Sequence, residues 1–487
     1  MQRPSEQATD VALIAACACV FYAVGIGGGS QLNSDDVLYA QMAREMLHSG
    51  NLLDNSWLGV VHFEKPPLLL WCLALSGLLF GFGEAALRLP VTLWSLAGLA
   101  SLYLLARSLG AARKAALTAT ALLATSTFYL LMTRRPMTDI PLLACALIAS
   151  AFWVRNHPSW AGAFAGLALL AKGVAAVPLL LPALIMQPRE ARAGLRATLV
   201  LLLVAAPWHI AQTLRHGAEF WSGYLGHHVA ARMTSAVVPS LTRQEQLELL
   251  AREPVLLALA LSGLVMAGKQ RFKQPVVRFA LCWLGLSILP LLLSKTVLPH
   301  YLLPLIPGFA LLATQTLSIS FFQQRLGLLL SAALVLASLA SNEEKLSMWL
   351  DPDFSPDEKA AGQRLAQLAQ PEDLVASYNL MHNSLVFYSG GLPISIYSDD
   401  ERFIAIQHAV LMMQRQAGHS GGLVELTQQG WPRSSAARSF IVTHNGSDSA
   451  KLEQLLQRAA PERPWFRRKL GTLALINDAH EGESIAH

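Results

Sequence analysis

The chain has 487 residues, of which 53% are hydrophobic and 14% charged, with 37 lysines and arginines against 32 aspartates and glutamates. That is more apolar surface than one soluble core can hide, and a small positive balance without a polybasic block excludes a nucleic-acid binder. The five cysteines (Cys17, Cys19, Cys72, Cys145 and Cys282) all fall in apolar runs, which excludes a disulfide framework and a paired-cysteine metal site.

Apolar runs suited to crossing a bilayer recur along the chain, at 11–28, 66–83, 87–106, 115–131, 139–154, 160–171, 173–187, 197–213, 254–268, 279–293, 299–320 and 326–341. From 342 to 487 charged and polar residues return, and no run there is long enough to span. The sequence therefore predicts a polytopic α-helical membrane domain over 1–341 and a soluble α/β domain over 342–487. The first run follows a lone Arg3 and is too long for a signal-peptide core, so it reads as a retained anchor.

Charge decides which runs cross. If all of them span from a cytoplasmic N-terminus, the basic loops at Arg107–Arg113–Lys114, Arg189–Arg192–Arg196 and Lys269–Arg271–Lys273–Arg278 fall outside. If 66–83, which ends in a Gly-Phe-Gly break, lies along the membrane surface instead, every later run inverts and those loops become cytoplasmic, as positively charged loops prefer. Eleven spans with juxtamembrane helices in the first outer loop are then expected. The same choice puts Asp35, Asp36, Glu64, Lys65, Asp139, Lys172, His227, His228, Arg232, Lys295 and His300 on the outer face, where the soluble domain also emerges.

Along the chain, NSDDVLYAQMAREML (33–47) predicts an amphipathic helix with Asn33 or Ser34 as cap. Asp35 and Asp36 are first-turn acids that complement the helix dipole, or a carboxylate pair able to hold a divalent cation or take a proton. In FEKPP (63–67) a proline suits the first position of a helix, whose N-terminus attracts phosphate, and Lys65 adds a full charge there. Glu64 orients that lysine or helps bind a metal; the plain alternative is a solvated ion pair. TRRPMTDIP (133–141) sets Asp139 at the mouth of a span, as a helix start or as an acid facing a cavity. Lys172–Gly173 lies between two apolar runs with no polar loop, so the lysine snorkels or reaches that cavity. His227, His228 and Arg232 occur in YLGHHVAARM without metal-ligand spacing, Arg232 being the better phosphate partner. Lys295, His300 and Tyr301 stand at the outer end of a proline-interrupted run, a pattern tolerated where backbone lines a cavity.

In the C-terminal region DLVASYN, PISIYS, SFIVTHN and LGTLALIND predict strands, with helices at 357–370 and 448–459. The chain has no Gly-x-Gly-x-x-Gly after a strand, no Walker A loop, no Gly-x-Ser-x-Gly and no His-Glu-x-x-His. No nucleotide cofactor is expected, and an activated donor would come from the membrane.

The stretch DDVLYAQMAREMLHSGNLLDNSWLGVVHFEKPPLLLW resembles the first outer loop of the C-type glycosyltransferases that include the bacterial aminoarabinose–lipid A transferases and the protein O-mannosyltransferases. RLP (88–90), KG (172–173), PW (207–208) and YLLPLIP (301–307) extend the resemblance through the membrane half. It implies a monomeric bacterial inner-membrane enzyme that moves a sugar from an undecaprenyl-phosphate carrier to a periplasmic acceptor, lipid A phosphate first of all. By the same resemblance Asp35, Glu64, Lys65 and Asp139 are catalytic, while Tyr39, Lys172, Arg232 and Tyr301 bind substrate; Asp36, His227 and Lys295 join the substrate-binding set by their place on the outer face. Asp35 and Glu64 would hold a divalent ion (Mg, Mn or Zn) if one takes part. Asp36–Leu38 departs from the Asp–Glu and arginine of the aminoarabinose branch, which leaves the sugar and the acceptor open. Two alternatives stand beside this reading. One is a protein O-glycosyltransferase. The other is a lipid or sugar transporter, against which speaks the lack of an inverted repeat of broken helices.

Overall fold

The computed structural model describes residues 4–27, 32, 35–234, 240–268, 273–319, 322, 324–341, 356–370, 373–380, 383–400, 420–421, 438–459 and 464–478. The chain divides into two compact units. One holds 1–29, 51–55 and 62–352, the other 30–50, 56–61 and 353–487.

The first unit is helical. Its leading elements are α1 (Pro4–Ala23), then, after the α2 segment of the other unit, α3 (Leu68–Phe80), α4 (Glu84–Ser108), α5 (Arg113–Ala124), α6 (Thr127–Met132) and α7 (Asp139–Val154). They continue with α8 (Pro158–Lys172), α9 (Val177–Met186) and α10 (Ala191–Trp221), followed by helices at 243–251, 254–266, 275–293, 305–317 and 325–340. Among the described residues five helical stretches are long and apolar enough to cross a membrane. They become six if 243–251 and 254–266, bent by 93° at their junction, count as one. The chain is a multi-pass membrane protein.

Several of its buried charges have local partners, as an apolar surrounding demands. Asp10 in α1 takes two guanidinium hydrogen bonds from Arg113, at 2.8 and 2.5 Å, and a third from the Tyr103 hydroxyl. Arg88 donates to the Ile26 carbonyl at 2.8 Å and Arg134 to that of Val24, so two arginines cover carbonyls just past the end of α1. The prolines of FEKPP precede α3 rather than enter it: Pro67 is its cap and Leu68 its first residue. The helix is only 13 residues long, ends at Gly81 (φ 79°), and exposes Leu75, Leu78, Leu79 and Phe80.

Helix α7 is thoroughly buried, with 14 of its 16 residues inside. The chain reverses between α8 and α9. At one end, the Lys172 Nζ meets Asp139, the first residue of α7. At the other, the Trp153 Nε1 donates to the Gln187 carbonyl at 2.8 Å, and Arg189 donates to the Val154 carbonyl at 2.7 Å. A single straight helix over 158–186 would put its ends roughly 40 Å apart, yet Pro158 and Pro188 line one cavity. The reversal needs Gly173, whose φ is 58° and where a β-carbon would overlap the Tyr224 hydroxyl.

The second unit is built on a six-stranded sheet in the order β5-β4-β3-β6-β8-β7. The strands are β3 (Leu374–Tyr378), β4 (Ser395–Tyr397), β5 (Ser420–Gly421), β6 (Ser439–His444), β7 (Phe466–Leu470) and β8 (Leu473–Asn477). β3, β4, β5 and β6 pair in parallel and β8 is antiparallel to both β6 and β7. Ala376, Tyr378, Ile441 and Ile476 from the sheet pack with Leu452 and Leu456 of helix 447–459. A short hairpin, β1 (Ser56–Trp57) with β2 (Val60–Val61), and helix α2 (Asp35–Ser49) belong to the same unit. Arg44 of α2 stacks over the Phe387 ring at 4.4 Å and donates to the Phe387 carbonyl at 3.0 Å. The main chain of Leu58 in the hairpin donates to Glu45 at 3.0 Å. So the segment between α1 and α3 divides between the units, and α2 packs on residues more than three hundred positions later.

Candidate active site

In the first unit the chemistry gathers at the N-terminal end of α7. Asp139 occupies the first turn, where its charge complements the helix dipole, and only 6% of its side chain is exposed. Its Oδ1 accepts from the Lys172 Nζ at 2.7 Å. Its Oδ2 is buried and has no hydrogen-bond partner. The Lys172 ammonium lies 5.0 Å from the centre of the Tyr301 ring, within cation–π range. His300 packs edge-on to Tyr301, with ring centres 4.8 Å apart. The charges of Lys172 and Lys65, with the His300 ring, act on Asp139, and His300 is also within the field of Arg135. The lysines Lys172 and Lys65 thus both act on the Asp139 carboxylate, in a partly dry place.

Lys65 is held by its backbone. The Asn55 Nδ2 donates to the Lys65 carbonyl at 2.6 Å, and the Asn55 carbonyl accepts from the His62 N–H at 2.6 Å. The ammonium is 3.9 Å from Glu64, and both side chains are largely buried. Behind this turn stands Asp54. Its Oδ1 accepts from the Gln212 Nε2 and the His216 Nε2, both at 3.0 Å, and its Oδ2 from Asn51 and Arg215, both at 2.9 Å. The Trp208 Nε1 and the Gln212 Nε2 also bind the Leu53 carbonyl, at 3.0 and 2.7 Å. Helix α10 therefore grips residues 51–55, and those residues carry Lys65.

Burial pushes the Asp54 carboxyl upward. Hydrogen bonds from His216, Asn51 and Gln212 and the charge of Arg215 outweigh it and hold the group below the usual carboxylate range. A lowered folded value means stability that is present above the ordinary range and is lost as pH falls through the lowered one. Asp54→Asn is expected to cost about 2 kcal/mol near neutral pH and to flatten the acid limb of the stability profile below about pH 4. Thermal melting of the two proteins between pH 7 and pH 3 checks this; parallel curves would show that the network contributes nothing.

Of the residues expected from sequence, Lys65, Glu64, Asp139, Lys172 and Tyr301 lie in this unit, and the structure brings Asp139, Lys172 and Tyr301 into contact. Asp35, Asp36 and Tyr39 are in α2 of the other unit; Asp36 and Tyr39 are buried and Asp35 half-buried. Lys295 is exposed. The side chains of His227, on the π-helical stretch 222–231, and of Arg232, at the start of the helix 232–234, lie outside the described residues, as do Asn33 and Ser34. Among the described residues no group of three or more His, Cys, Asp or Glu side chains is arranged to hold a metal ion. The sequence reading missed Arg135 and the Asp54 network. The adjacent arginines of TRRP were the only signal for the first. The second had none, because its partners are about 160 residues away.

The sequence profile of the dolichyl-phosphate-mannose-protein mannosyltransferase family matches residues 64–211. An undecaprenyl phosphate-alpha-4-amino-4-deoxy-L-arabinose arabinosyl transferase of Pseudomonas savastanoi pv. phaseolicola is 28% identical over 326 residues, 63% of this chain and 61% of that protein. One of Pseudomonas aeruginosa is 30% identical over 319 residues, 60% of this chain and 57% of that protein. The chain thus spans about three fifths of these relatives' length. The crystal structure of ArnT from Cupriavidus metallidurans in the apo state superposes with a TM-score of 0.71 at 19% identity, covering 96% of this chain and 98% of that one. The same protein bound to undecaprenyl phosphate gives 0.69 at 18% identity, covering 97% and 98%. The chain is thus similar to protein mannosyltransferases over 64–211 and to arabinosyl transferases over about three fifths of its length, and it shares the fold of ArnT.

Proposed function

We propose that the chain is an integral-membrane glycosyltransferase that moves a sugar, 4-amino-4-deoxy-L-arabinose or a close relative, from an undecaprenyl-phosphate carrier to a lipid A phosphate. The observation that carries this reading is the N-terminal end of α7, where the buried Asp139 pairs with Lys172 and lies in the field of Lys65 and His300. In the transfer, the bond between the anomeric carbon and the carrier phosphate breaks and its electron pair stays on the phosphate, which gains a negative charge. An acceptor oxygen forms the new bond from the opposite face, with inversion. Lys65 stabilises the leaving phosphate, since fixed positive charge in a water-poor site is worth more than in bulk water. Lys172 is committed to the Asp139 Oδ1 and holds that carboxylate in place. The unpartnered Oδ2 can accept the proton or hydrogen bond of the acceptor. Asp35 is assigned the role of first-loop acid by resemblance alone.

Incubating the purified protein with undecaprenyl-phosphate aminoarabinose and lipid A should shift the acceptor mass by one sugar residue. Glycosylation of a protein acceptor instead would favour the mannosyltransferase-like alternative. Movement of the carrier between leaflets with no acceptor modified would make the chain a transporter.

The same reading sets eleven spans in the bacterial inner membrane, with the N-terminus and the basic loops inside and residues 342–487 in the periplasm as a separate domain. In a cysteine-free background, Lys273→Cys should be labelled by a membrane-impermeant thiol reagent only after permeabilisation of spheroplasts. Asp399→Cys should be labelled in intact ones; both positions are exposed. The reverse pattern would invert the protein in the membrane.

A further inference from the structure

At the end of α7 opposite Asp139 lies a cavity of about 510 Å³ that the proposed chemistry does not use. Its walls come from the turn between α7 and α8, the turn between α9 and α10, and the first turns of α10. Arg189, Arg192 and Arg196 line it together with Asn156, and Glu190 is the one acid. Among the described residues none of the three arginines forms an ion pair. Arg189 is fixed by the Trp153 and Val154 carbonyls, at 3.2 and 2.7 Å, and its buried Nε has no partner. Arg192 and Arg196 are exposed and meet no acceptor among the described residues. Glu190, the residue before α10, makes no side-chain cap to that helix, so the first-turn N–H groups add to the positive field instead of being quenched by a carboxylate.

The helices that supply the cavity's lining residues also expose apolar side chains close by in sequence. Ile185 on α9 and Leu195 and Leu199 on α10 are exposed where a soluble protein would bury them, as is Trp160 near the start of α8. Exposed aliphatic side chains at such positions face acyl chains, and tryptophan settles at the headgroup level. Unneutralised guanidiniums between transmembrane helices at that level are the chemistry that selects anionic headgroups. The volume is far larger than an inorganic phosphate needs, and the exposed apolar side chains suit a ligand with tails.

We infer that this cavity is a binding site for the phosphodiester headgroup of an anionic phospholipid, held by Arg189, Arg192 and Arg196 with its acyl chains along α9 and α10. The site is independent of sugar transfer and sits at the other end of α7 from it.

Native mass spectrometry of the full chain in detergent, titrated with phosphatidylglycerol, tests it. One lipid should be retained above the non-specific ladder, phosphatidylcholine should not replace it, and millimolar inorganic phosphate should not displace it. Arg192→Gln with Arg196→Gln should weaken retention by about tenfold or more, with the melting temperature of the lipid-free protein unchanged. Lys273→Gln with Arg278→Gln, which removes the same charge from another basic loop, should have no effect. Glu190→Gln should tighten binding. Equal loss in both double variants would mean only diffuse attraction to anionic lipid, and no loss in the Arg192 and Arg196 variant would leave the cavity without a role. Displacement by inorganic phosphate, or weaker binding in Glu190→Gln, would likewise overturn the assignment.

Discussion

Lys65→Ala is expected to slow sugar transfer about a hundredfold, the effect of losing one preorganised charge worth roughly 3 kcal/mol in the transition state. The side chain is 15% exposed, so its charge is only partly screened. Glu64 lies 3.9 Å from the ammonium, beyond a tight hydrogen-bonded pair, and such a contact contributes little by itself. The turn is rigid by construction: Pro66 and Pro67 restrict the backbone, and Asn55 holds the Lys65 carbonyl. A charge delivered this way needs little reorganisation when the phosphate departs. Lys65→Arg should recover part of the rate, because a planar fork does not reproduce a compact ammonium. Initial rates at limiting undecaprenyl-phosphate sugar give the comparison. A loss of less than about fivefold would reduce Lys65 to a structural ion pair.

The second large effect is on stability. Removing either partner of the Asp139–Lys172 pair strands a charge in a poorly solvated place, at a cost of about 3–5 kcal/mol. Asp139→Ala leaves the Lys172 ammonium with only the Tyr301 ring, 5.0 Å away. Lys172→Met leaves a carboxylate that already has one oxygen without a partner. The double variant carries neither orphan, so its loss should be clearly smaller than the sum of the two single losses. Melting temperatures of the four proteins in one detergent close the cycle. Simple additivity would mean that the two groups do not depend on each other and that the 2.7 Å contact does not orient Asp139.

The helical elements were legible where apolar runs are long and uninterrupted, because the bilayer admits few other solutions. The site was legible where one short stretch carries several chemical groups, as in FEKPP and TRRPMTDIP. Lys172 was legible as an isolated charge between two apolar runs, but its partner, 33 residues earlier, was not. Helix α2 reads locally as an amphipathic helix, and nothing local says that it packs on Phe387 and Tyr388. That pairing rests on Arg44 stacking, a contact any surface arginine might make. In the second unit the stretches read as strands form β3, β4, β6 and β8, which are apolar and central. β7 was missed because Arg467, Arg468 and Lys469 make it resemble a loop, although a charged edge strand is how a sheet avoids pairing with its neighbours. The prolines before α3 were misplaced by one or two positions, the usual margin for a helix start.

Helix α7 is fastened at both ends by different chemistry, an ion pair at Asp139 and guanidinium bonds to the Trp153 and Val154 carbonyls. Sliding it in either direction along its axis must break one set or the other. It is therefore an axle of the first unit, stationary while other parts turn over. Movement that admits a long polyprenyl chain and releases it falls to elements with a joint in them. Helix α10 has such a joint at Gly217, where φ is 56° and ψ −129° within an otherwise continuous helix, immediately after the residues that grip Asp54. A hinge there would leave the grip on Lys65 intact while the π-helical stretch beyond it swings.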